Sequence, residues 1–341
     1  MSDQATATAP TTPAPQNQIL GIVTGFWQSR ALAIAAELEL ADLLADGPVS
    51  VDILAGRTKT DSLSLFRLMR ALEGIGIFRQ VSPQVFANTP TSDCLRKNVP
   101  GSQWAFVRIQ LSRDCGVYGA WAGLMDSVQT GRVNFDQFHG CNFWQYLQRN
   151  PGTWTIFNEA MRSLGALMTP AITASYDWNR FPVIADIGGG IGSQLVDILN
   201  AHPSCRGILF DLPEVVTDAI PHERVERTGG DFFKSLPAGA DAYILRGVIH
   251  DWAEPEAIAI LKNVRQVMRP DARLVLIEWL IPEGPEPTLG KWIDLIMLTI
   301  LGGRERTAAE FGELYAKCGF ELDEIIPTAS PLSIIIGRPH A

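Results

Sequence analysis

Four side chains in the second half of the chain have the chemistry of a general base and its supporting acids. His250 and Asp251 follow a strand-like run at 242–246, Glu278 lies within another apolar run, and Glu305 occurs in a glycine-rich segment. An imidazole with an ordinary pKa of about 6.5 can remove a proton from a hydroxyl near neutral pH. Such a base works better when a carboxylate fixes its tautomer and stabilises its cation. We predict His250 as a general base, and the sequence leaves open which of the three acids orients it.

A second group of residues has the form of a nucleoside-binding turn. The apolar run 183–187 contains Asp186, and three glycines follow at alternate positions within 188–192. Glycine permits a sharp turn and close approach of a ligand to the main chain, and the following helix directs free N–H groups toward it. A dinucleotide site would need G-x-G-x-x-G, but its third position holds Ser193. The pattern is instead D-x-G-x-G-x-G, which is typical of S-adenosylmethionine (SAM) sites.

An acid at the end of the next strand supports the nucleoside interpretation. Asp211 ends the run 207–211, about twenty residues after the glycines, where a carboxylate can accept hydrogen bonds from both ribose hydroxyls. The alternative is a tight strand–helix turn without a ligand. Together, the glycines and Asp211 favour a nucleoside site.

Composition indicates an ordinary globular protein. Of 341 residues, 46% are hydrophobic and 19% charged, which is enough chain for one large or two ordinary domains. The net charge of −9 argues against nucleic acid or an anionic membrane as the main partner. We also find no apolar run of membrane-spanning length, and we interpret residues 1–18, which are rich in Ala, Thr, Pro and Gln, as a disordered tail.

The five cysteines predict a reducing environment. Their number is odd, they are widely spaced, and they form no C-x-x-C pair. A disulfide framework or a zinc site is therefore not expected. A cytoplasmic location is expected instead.

Residues 19–100 have the pattern of a winged-helix unit. Apolar residues recur at helical spacing over 19–44, Ser50 can cap a short helix, and Thr60 or Asp61 can begin the next one. Two short strand-like runs around Ser82-Pro83 then form a wing. Acidic residues interrupt the basic ones, so we prefer a dimerisation role over DNA binding.

Residues 101–178 are helical in pattern and unusually aromatic. Most of these rings are expected to pack in the core, and a subset is expected to line a pocket for a flat aromatic substrate. The segment 157–161 could roof that pocket. From residue 179 onward, strands and helices alternate, which predicts a doubly wound, largely parallel sheet.

Polar residues at the strand ends of such a sheet meet at one edge, where ligands bind. The polar residues of this kind are Asp186, Asp211, Asp231, Arg246 and Glu278. We therefore expect a single cleft. Asp294, near Trp292 and Met297, is a further candidate for its substrate-binding part.

Five ordered motifs together resemble the SAM-dependent small-molecule O-methyltransferases, the family of plant caffeate, hydroxyindole and bacterial natural-product enzymes. The motifs are 186–192 (DIGGGIG), 210–213 (FDLP), 229–233 (GGDFF), 246–252 (RGVIHDW) and 302–307 (GGRERT). The resemblance implies a mainly α winged-helix dimerisation domain, a helical connector at 101–178, and an α/β doubly wound, Rossmann-like SAM-binding domain at 179–341.

The resemblance also implies roles for individual residues. Gly188 corresponds to the residue against the amino-acid part of SAM, Asp211 to the ribose ligand, Asp231 and Phe232 to the adenine neighbours, and Arg246 to a lysine of plant members. His250 corresponds to the general base, Glu278 and Glu305 to the acids beside it, and Met161 to a substrate contact. The expected cofactor is SAM, released as S-adenosylhomocysteine (SAH), without a metal, in a homodimer.

The expected activity is methyl transfer to a phenolic or other hydroxyl of an aromatic small molecule, such as a bacterial natural product. Three alternatives stay open. The chain could use SAM in a hydroxylation, decarboxylation or pericyclic step, or sense SAM as a winged-helix regulator. A nicotinamide dehydrogenase is the third, and Ser193 disfavours it.

Overall fold

The computed structural model describes residues 14–340, so most of the predicted tail, residues 1–13, lies outside the described residues. The first helix begins at Pro15, inside the segment predicted as tail. Proline suits this position because the first turn leaves its N–H unused and its fixed φ is helical. The chain forms two compact units, Met1–Cys115 and Gly116–Ala341.

The first unit is a winged helix with an additional long helix before it. Its elements are α1 (Pro15–Glu37), α2 (Leu40–Leu43), β1 (Val49–Ser50), α3 (Val51–Thr58), α4 (Ser62–Glu73), β2 (Phe78–Ser82), β3 (Val85–Asn88), α5 (Pro90–Asp93) and α6 (Trp104–Leu111). The strands form an antiparallel sheet in the order β1-β3-β2. Ser50 and Asp61 cap α3 and α4, since their side chains accept from the N–H groups of Ile53 and Ser64.

Helix α1 exposes a large apolar surface. Its exposed apolar residues are Ile19, Leu20, Ile22, Val23, Phe26 and Trp27. By length and composition alone, with a mean hydropathy of 1.3, α1 is also long and apolar enough to cross a membrane. The expectation that no apolar run reaches membrane-spanning length was therefore wrong for this helix. A core helix of a soluble protein passes the same test of length and composition.

The second unit begins with helices and continues as an alternating α/β domain. Its elements are α7 (Val117–Ala120), α8 (Leu124–Thr130), α9 (Asn134–His139), α10 (Phe143–Arg149), α11 (Pro151–Ala174), β4 (Val183–Ile187), α12 (Ser193–Ala201), β5 (Arg206–Asp211), α13 (Pro213–Val216), β6 (Val225–Gly229), β7 (Ala242–Arg246), α14 (Glu254–Val267), β8 (Arg273–Trp279), α15 (Gly290–Ile296), a π-helical turn (Met297–Leu301), α16 (Ala308–Lys317), β9 (Phe320–Pro327) and β10 (Leu332–Pro339).

The seven strands form one sheet in the order β6-β5-β4-β7-β8-β10-β9. The pairs among β6, β5, β4, β7 and β8 are parallel, and β10 is antiparallel to both neighbours. The strand order reverses between β4 and β7, and ligands of open α/β sheets bind at such a point. The predicted doubly wound fold is therefore confirmed.

Helices cover both faces of this sheet. One buried cluster joins it to α14 and α16, and another joins it to α11 and α12. The central strands β4, β7, β8 and β10 are apolar along most of their length because both of their faces are buried. The edge strands β6 and β9 carry exposed polar residues. The segment predicted as a single connector, 101–178, is divided between the two units after Cys115, and the predicted boundaries at 100 and 178 stay predictions.

One buried hydrogen bond gives a test of this packing. Tyr315 of α16 is wholly buried and donates its hydroxyl to the carbonyl of Ile335 in β10, 2.8 Å away. We expect Tyr315→Phe to lower the free energy of unfolding by about 1 kcal/mol, measured by urea denaturation. As a control, Tyr176→Phe removes an exposed hydroxyl bonded to Arg180 and should cost less. Equal losses for the two variants would contradict this account of the packing.

Candidate active site

The turn after β4 is a cradle of main-chain atoms. Gly188, Gly190 and Gly192 all have positive φ (69°, 60° and 83°), which L side chains rarely adopt. A Cβ added at Gly188 would lie 3.0 Å from Val248, whereas at Gly190 nothing lies within 4 Å. The first glycine is therefore needed for packing, and the second leaves open space over the turn. Helix α12 follows without a side-chain cap, so its first N–H groups are available to a ligand.

Asp211 ties the end of β5 to this turn. Its Oδ2 accepts from the N–H of Gly190 at 2.8 Å, and its Oδ1 accepts from the N–H of Leu212 at 2.7 Å. Burial raises the pKa of Asp211, and the two N–H donors oppose that effect. A carboxylate has about four acceptor sites, so both oxygens can still accept from a ligand hydroxyl.

The structure places Phe232 beside the turn and Asp231 within its own loop. The Phe232 ring would lie 3.8 Å from a Cβ at Gly188, and it meets Trp252 edge to face at 5.8 Å between centroids. Asp231 accepts from the N–H of Phe233 at 2.9 Å and pairs with Lys234 at 3.2 Å. The ring of Phe232 thus borders the space beside the glycine turn, and Asp231 stabilises the loop that carries Phe232.

Arg246, at the end of β7, contacts two helices. Its Nη1 donates to Thr169 Oγ1 at 2.7 Å and to Gln194 Oε1 at 3.0 Å, and its Nη2 donates to the Gly165 carbonyl at 3.3 Å. All three acceptors are uncharged. Burial lowers the pKa of Arg246, while Asp186 raises it.

Asp186 is the buried acid of the glycine motif. It is 1% exposed, and burial raises its pKa to about 7 against the opposing effect of Arg246. The three hydrogen-bond acceptors of Arg246 are neutral, and Asp186 is only partly ionised near neutral pH. The positive charge of Arg246 beside the turn is therefore not fully neutralised.

These features fit SAM. The open turn can admit the main body of the cofactor, Asp211 can accept from its ribose, and Phe232 offers an apolar face for its adenine. The charge of Arg246 suits the carboxylate of its amino-acid part. The turn after β4 thus has the donors, acceptors and space that this cofactor needs.

A hydrogen-bonded cluster of one imidazole and three acids lies just beyond β7. His250 occupies the 3₁₀ turn Ile249–Asp251, and its Nδ1 lies 2.6 Å from Glu305 Oε1. Glu278 Oε2 is 3.9 Å from the same nitrogen, and Asp251 Oδ1 is 3.4 Å from Nε2. The structure therefore brings together the predicted base and both predicted acids, and Glu305 holds Nδ1.

Glu278 supports the backbone that carries His250. It is wholly buried, and its Oε1 accepts from the N–H groups of Val248 at 3.2 Å and Ile249 at 2.9 Å. These bonds explain an acid inside an apolar strand, because the turn would otherwise leave buried donors unpaired.

Glu305 is held by a residue that the sequence analysis expected to bind substrate. Asp294 of α15 accepts from the Glu305 N–H at 2.9 Å. Arg304, the residue before Glu305, pairs instead with Glu254 and Glu310 at 2.9 and 3.0 Å. Asp294 thus holds the backbone of Glu305 in place. A contact between Asp294 and the substrate stays a proposal.

The acids change the titration of His250. Burial alone lowers the pKa of His250, but the carboxylates of Glu278, Asp251 and Glu305 outweigh that effect and raise it to about 10. Burial in turn raises the pKa of Glu278 to about 7 and of Asp251 to about 6, and it also raises that of Glu305. The cluster therefore retains a proton well above neutral pH.

The donor atoms of His250, Glu278 and Glu305 all lie within 4.8 Å of one another, as in a metal site. The 2.6 Å separation of His250 and Glu305 is nevertheless that of a direct hydrogen bond. An ion held about 2 Å from each atom would need the two ligands farther apart. Glu278 also uses one oxygen on two backbone donors. This geometry fits a base with its acids.

Two features around His250 were not predicted from the sequence. Gly303 packs so closely on the turn that an added Cβ would overlap the His250 carbonyl oxygen. The preceding π-helical turn, Met297–Leu301, ends in Gly302 with a φ of 85°. Only the pair of glycines in the sequence signalled this close approach.

Aromatic side chains line the region next to the base. Trp252 stacks on Trp144 of α10 with 6.3 Å between ring centroids, and Trp144 meets Phe157 of α11 at 5.8 Å. Met161, the predicted substrate contact, lies one turn after Phe157 and is 41% exposed. Helices α10 and α11 thus supply apolar area near His250.

Two protein-family models match this chain. The model of the O-methyltransferase domain matches residues 121–321, and that of the O-methyltransferase dimerisation domain matches residues 20–98.

Three relatives cover nearly the whole chain. A phenazine O-methyltransferase of Lysobacter antibioticus is 39% identical over 94% of this chain and 95% of its own length. An 8-amino-8-demethylriboflavin N,N-dimethyltransferase of Streptomyces davaonensis is 38% identical over 91% of each chain. The structure of human N-acetylserotonin methyltransferase in complex with SAM has a TM-score of 0.87 at 26% identity, covering 98% of this chain and 100% of that one.

The charge balance of the cluster can be tested without a substrate. We expect Glu278→Gln to lower the pKa of His250, by about one to three pH units, because an amide can still accept from the backbone but brings no negative charge. NMR titration of labelled histidine measures this. Glu254→Gln, which removes an acid that pairs with Arg304 and Lys317, is the control and should leave His250 unchanged. An unaltered or higher His250 pKa in Glu278→Gln would refute the proposed coupling.

Proposed function

Because this chain belongs to the SAM-dependent O-methyltransferase family, we propose that it transfers a methyl group to a phenolic or other hydroxyl of an aromatic small molecule, with His250 as the base. SAM is the cofactor, and the chain is a methyltransferase. The choice of oxygen as nucleophile rests chiefly on one observation. The 2.6 Å contact between His250 Nδ1 and Glu305 orients a largely buried imidazole whose other nitrogen can accept a proton.

The cluster defines how His250 would work. In the neutral form of His250, Nδ1–H donates to Glu305 and the lone pair lies on Nε2, which receives the proton of the acceptor hydroxyl. Because the three carboxylates raise the pKa of His250 to about 10, this neutral form is the minor one near pH 7 and its share grows as the pH rises. Glu305 and Glu278 then stabilise the imidazolium that forms. Glu278 holds the turn that carries His250, and Asp294 holds the backbone of Glu305. Together they keep His250 and Glu305 within hydrogen-bond distance.

Bound SAM supplies a sulfonium methyl group with a good leaving group. The remaining task of the chain is to align the acceptor and remove its proton. In this proposal the glycine turn, Asp211 and Arg246 fix the cofactor, with Asp231 and Phe232 around its adenine. Trp144, Trp252 and the helix that carries Met161 exclude water from the acceptor side.

Nitrogen methylation is the second candidate, and a relative favours it. The riboflavin-type relative is named as an N,N-dimethyltransferase, whereas the phenazine relative is named as an O-methyltransferase. An amine already carries a lone pair and needs less help from a base. A hydroxyl needs its proton removed, and the buried His250–Glu305 pair supports that chemistry.

We further propose an aromatic natural product as the acceptor. The names of both bacterial relatives identify aromatic ring systems as their substrates. In this chain, the stacked rings of Trp144 and Trp252 offer flat apolar area beside the proposed base.

The matched dimerisation domain and the apolar face of α1 support a homodimer. Exposed apolar residues on one helix, among them Ile22, Phe26 and Trp27, form the kind of patch that mediates stable association. A second copy of the chain is the proposed occupant of this face. The five free cysteines of the described residues and the acidic charge fit the proposed cytoplasmic location.

The hydroxyl preference and the base are tested together. Labelled SAM is supplied with a panel of polycyclic phenols and their matched amino analogues, and methyl incorporation is measured for the wild type and His250→Gln. We expect phenols to be the better acceptors and the variant to lose about 100-fold or more in kcat, with SAH affinity unchanged by calorimetry. Preference for the amines, or full activity of His250→Gln, would contradict the proposal.

The dimer has its own test. We expect Phe26→Glu to shift the mass measured by light scattering from that of two chains toward one, because it buries a charge in the proposed interface. Ile53→Glu, an exposed apolar site on α3, serves as the control and should leave the dimer intact. A wild-type monomer, or a dimer that survives Phe26→Glu, would rule out α1 as the interface.

A further inference from the structure

A buried network joins Arg246 to two helices that serve different parts of the site. Thr169 belongs to α11 and Gln194 to α12, and both accept from the same nitrogen of Arg246. The Gln194 amide also donates to Thr173 at 3.0 Å, and Thr173 donates to Asp197 at 2.8 Å. The side chains of Thr169, Gln194 and Thr173 are all buried. The guanidinium is thus the point where the helix after the glycine turn and the helix of the acceptor side meet.

Helix α11 contains a proline where this network touches it. Pro170 lies inside the helix and lacks the N–H that would bond the carbonyl four residues earlier. Next to it, the Thr169 hydroxyl donates to the Gly165 carbonyl at 2.8 Å, and the same carbonyl accepts from Arg246. The helix therefore lacks one of its own backbone hydrogen bonds in the turn that Arg246 contacts. Phe157 and Met161 lie on the same helix, toward its N-terminus.

We propose that Thr169 is a positioning residue that couples SAM binding to the ordering of helix α11. A ligand changes a conformational equilibrium only by the difference in its affinity for the two states. Here the difference comes from Arg246, whose charge is bonded only to neutral acceptors within the network. The carboxylate of the cofactor favours the conformation in which this guanidinium is held in place. Thr169 transmits that preference to α11, because its hydroxyl accepts the shorter bond from Arg246, at 2.7 Å, and donates to the Gly165 carbonyl one turn earlier. The direct bond from Arg246 to the same carbonyl, at 3.3 Å, is longer.

The inference rests on SAM as the cofactor and uses the proposed function only in assigning α11 to the acceptor side. Its consequence is an order of binding in which SAM prepares the acceptor surface. Cofactor and acceptor should then each increase the affinity for the other by the same factor.

Hydrogen–deuterium exchange tests this without any acceptor. Full-length protein is labelled with and without saturating SAH, and the exchange of peptides from 156–174 is followed by mass spectrometry. In the wild type we expect SAH to slow exchange in this segment by about fivefold or more, the lower range of typical coupling between sites. In Thr169→Val, which keeps the shape but loses the hydroxyl, we expect less than about twofold slowing even at saturating SAH.

The chain offers matched controls. Thr155→Val removes a hydroxyl from the same helix that bonds only the Pro151 carbonyl, so the protection by SAH should persist. Thr169→Ser keeps a hydroxyl and should restore the coupling. Gln194→Met removes a different acceptor of the same guanidinium, and it replaces Thr169→Val if that variant fails to fold. Calorimetry with SAH establishes saturation for every variant.

The outcomes separate cleanly. Protection of α11 in the wild type that is lost in Thr169→Val at saturating SAH supports the coupling. Equal protection in both proteins, or none in the wild type, overturns it. SAH binding with no acceptor activity in the wild type would count against the proposed function and leave the exchange result to decide the coupling.

Discussion

The hydrogen bond between His250 and Glu305 is the interaction on which the proposed chemistry depends. It joins two residues 55 positions apart, inside the protein, at 2.6 Å. Low local dielectric strengthens such a contact and also raises the cost of leaving the backbone donors around it unpaired. Glu278 satisfies the donors of the His250 turn, and Asp294 satisfies the donor of Glu305. Strand β8, helix α15 and the glycine-rich segment therefore have to be placed together.

The sheet topology explains why both halves of the site lie at one edge. Strands β4 and β7 are neighbours at the reversal of strand order, so the glycine turn after β4 and the base turn after β7 leave the sheet side by side. Val248 packs directly against the position where Gly188 has no side chain. The glycine turn and the His250 turn are thus in contact within the second unit.

Much of this arrangement could be predicted from local sequence patterns. Apolar runs gave strands β4 and β7 at their observed bounds, because a strand buried on both faces needs apolar residues throughout. The positions of Asp211, His250 and Glu278 at or near strand ends were enough to predict one cleft. What local patterns do not contain is the direction of a side chain. The partners of Asp294 and Arg246 lie 11 to 81 residues away, and no periodicity encodes them.

Two other differences have simple physical causes. The first helix reaches back to Pro15 because proline is favourable in a first helical turn, although it reads as a sign of disorder in a Pro-rich tail. The segment 101–178 is divided between two units. The sequence could not predict this division, because an apolar helical pattern does not say which core a helix joins.

The segment between Asp294 and Glu305 also constrains how such an enzyme can be altered. Its two ends are joined by a hydrogen bond across eleven residues, and between them lie a π-helical turn and a glycine that touches the His250 backbone. Each of these features depends on the number of residues in between. Segments exchanged between relatives to change the accepted molecule would have to keep that length, since one added or removed residue would turn Glu305 away from the imidazole. Under the proposed function, variation in specificity would be accommodated more readily by α10 and α11, where side chains can change without shifting His250.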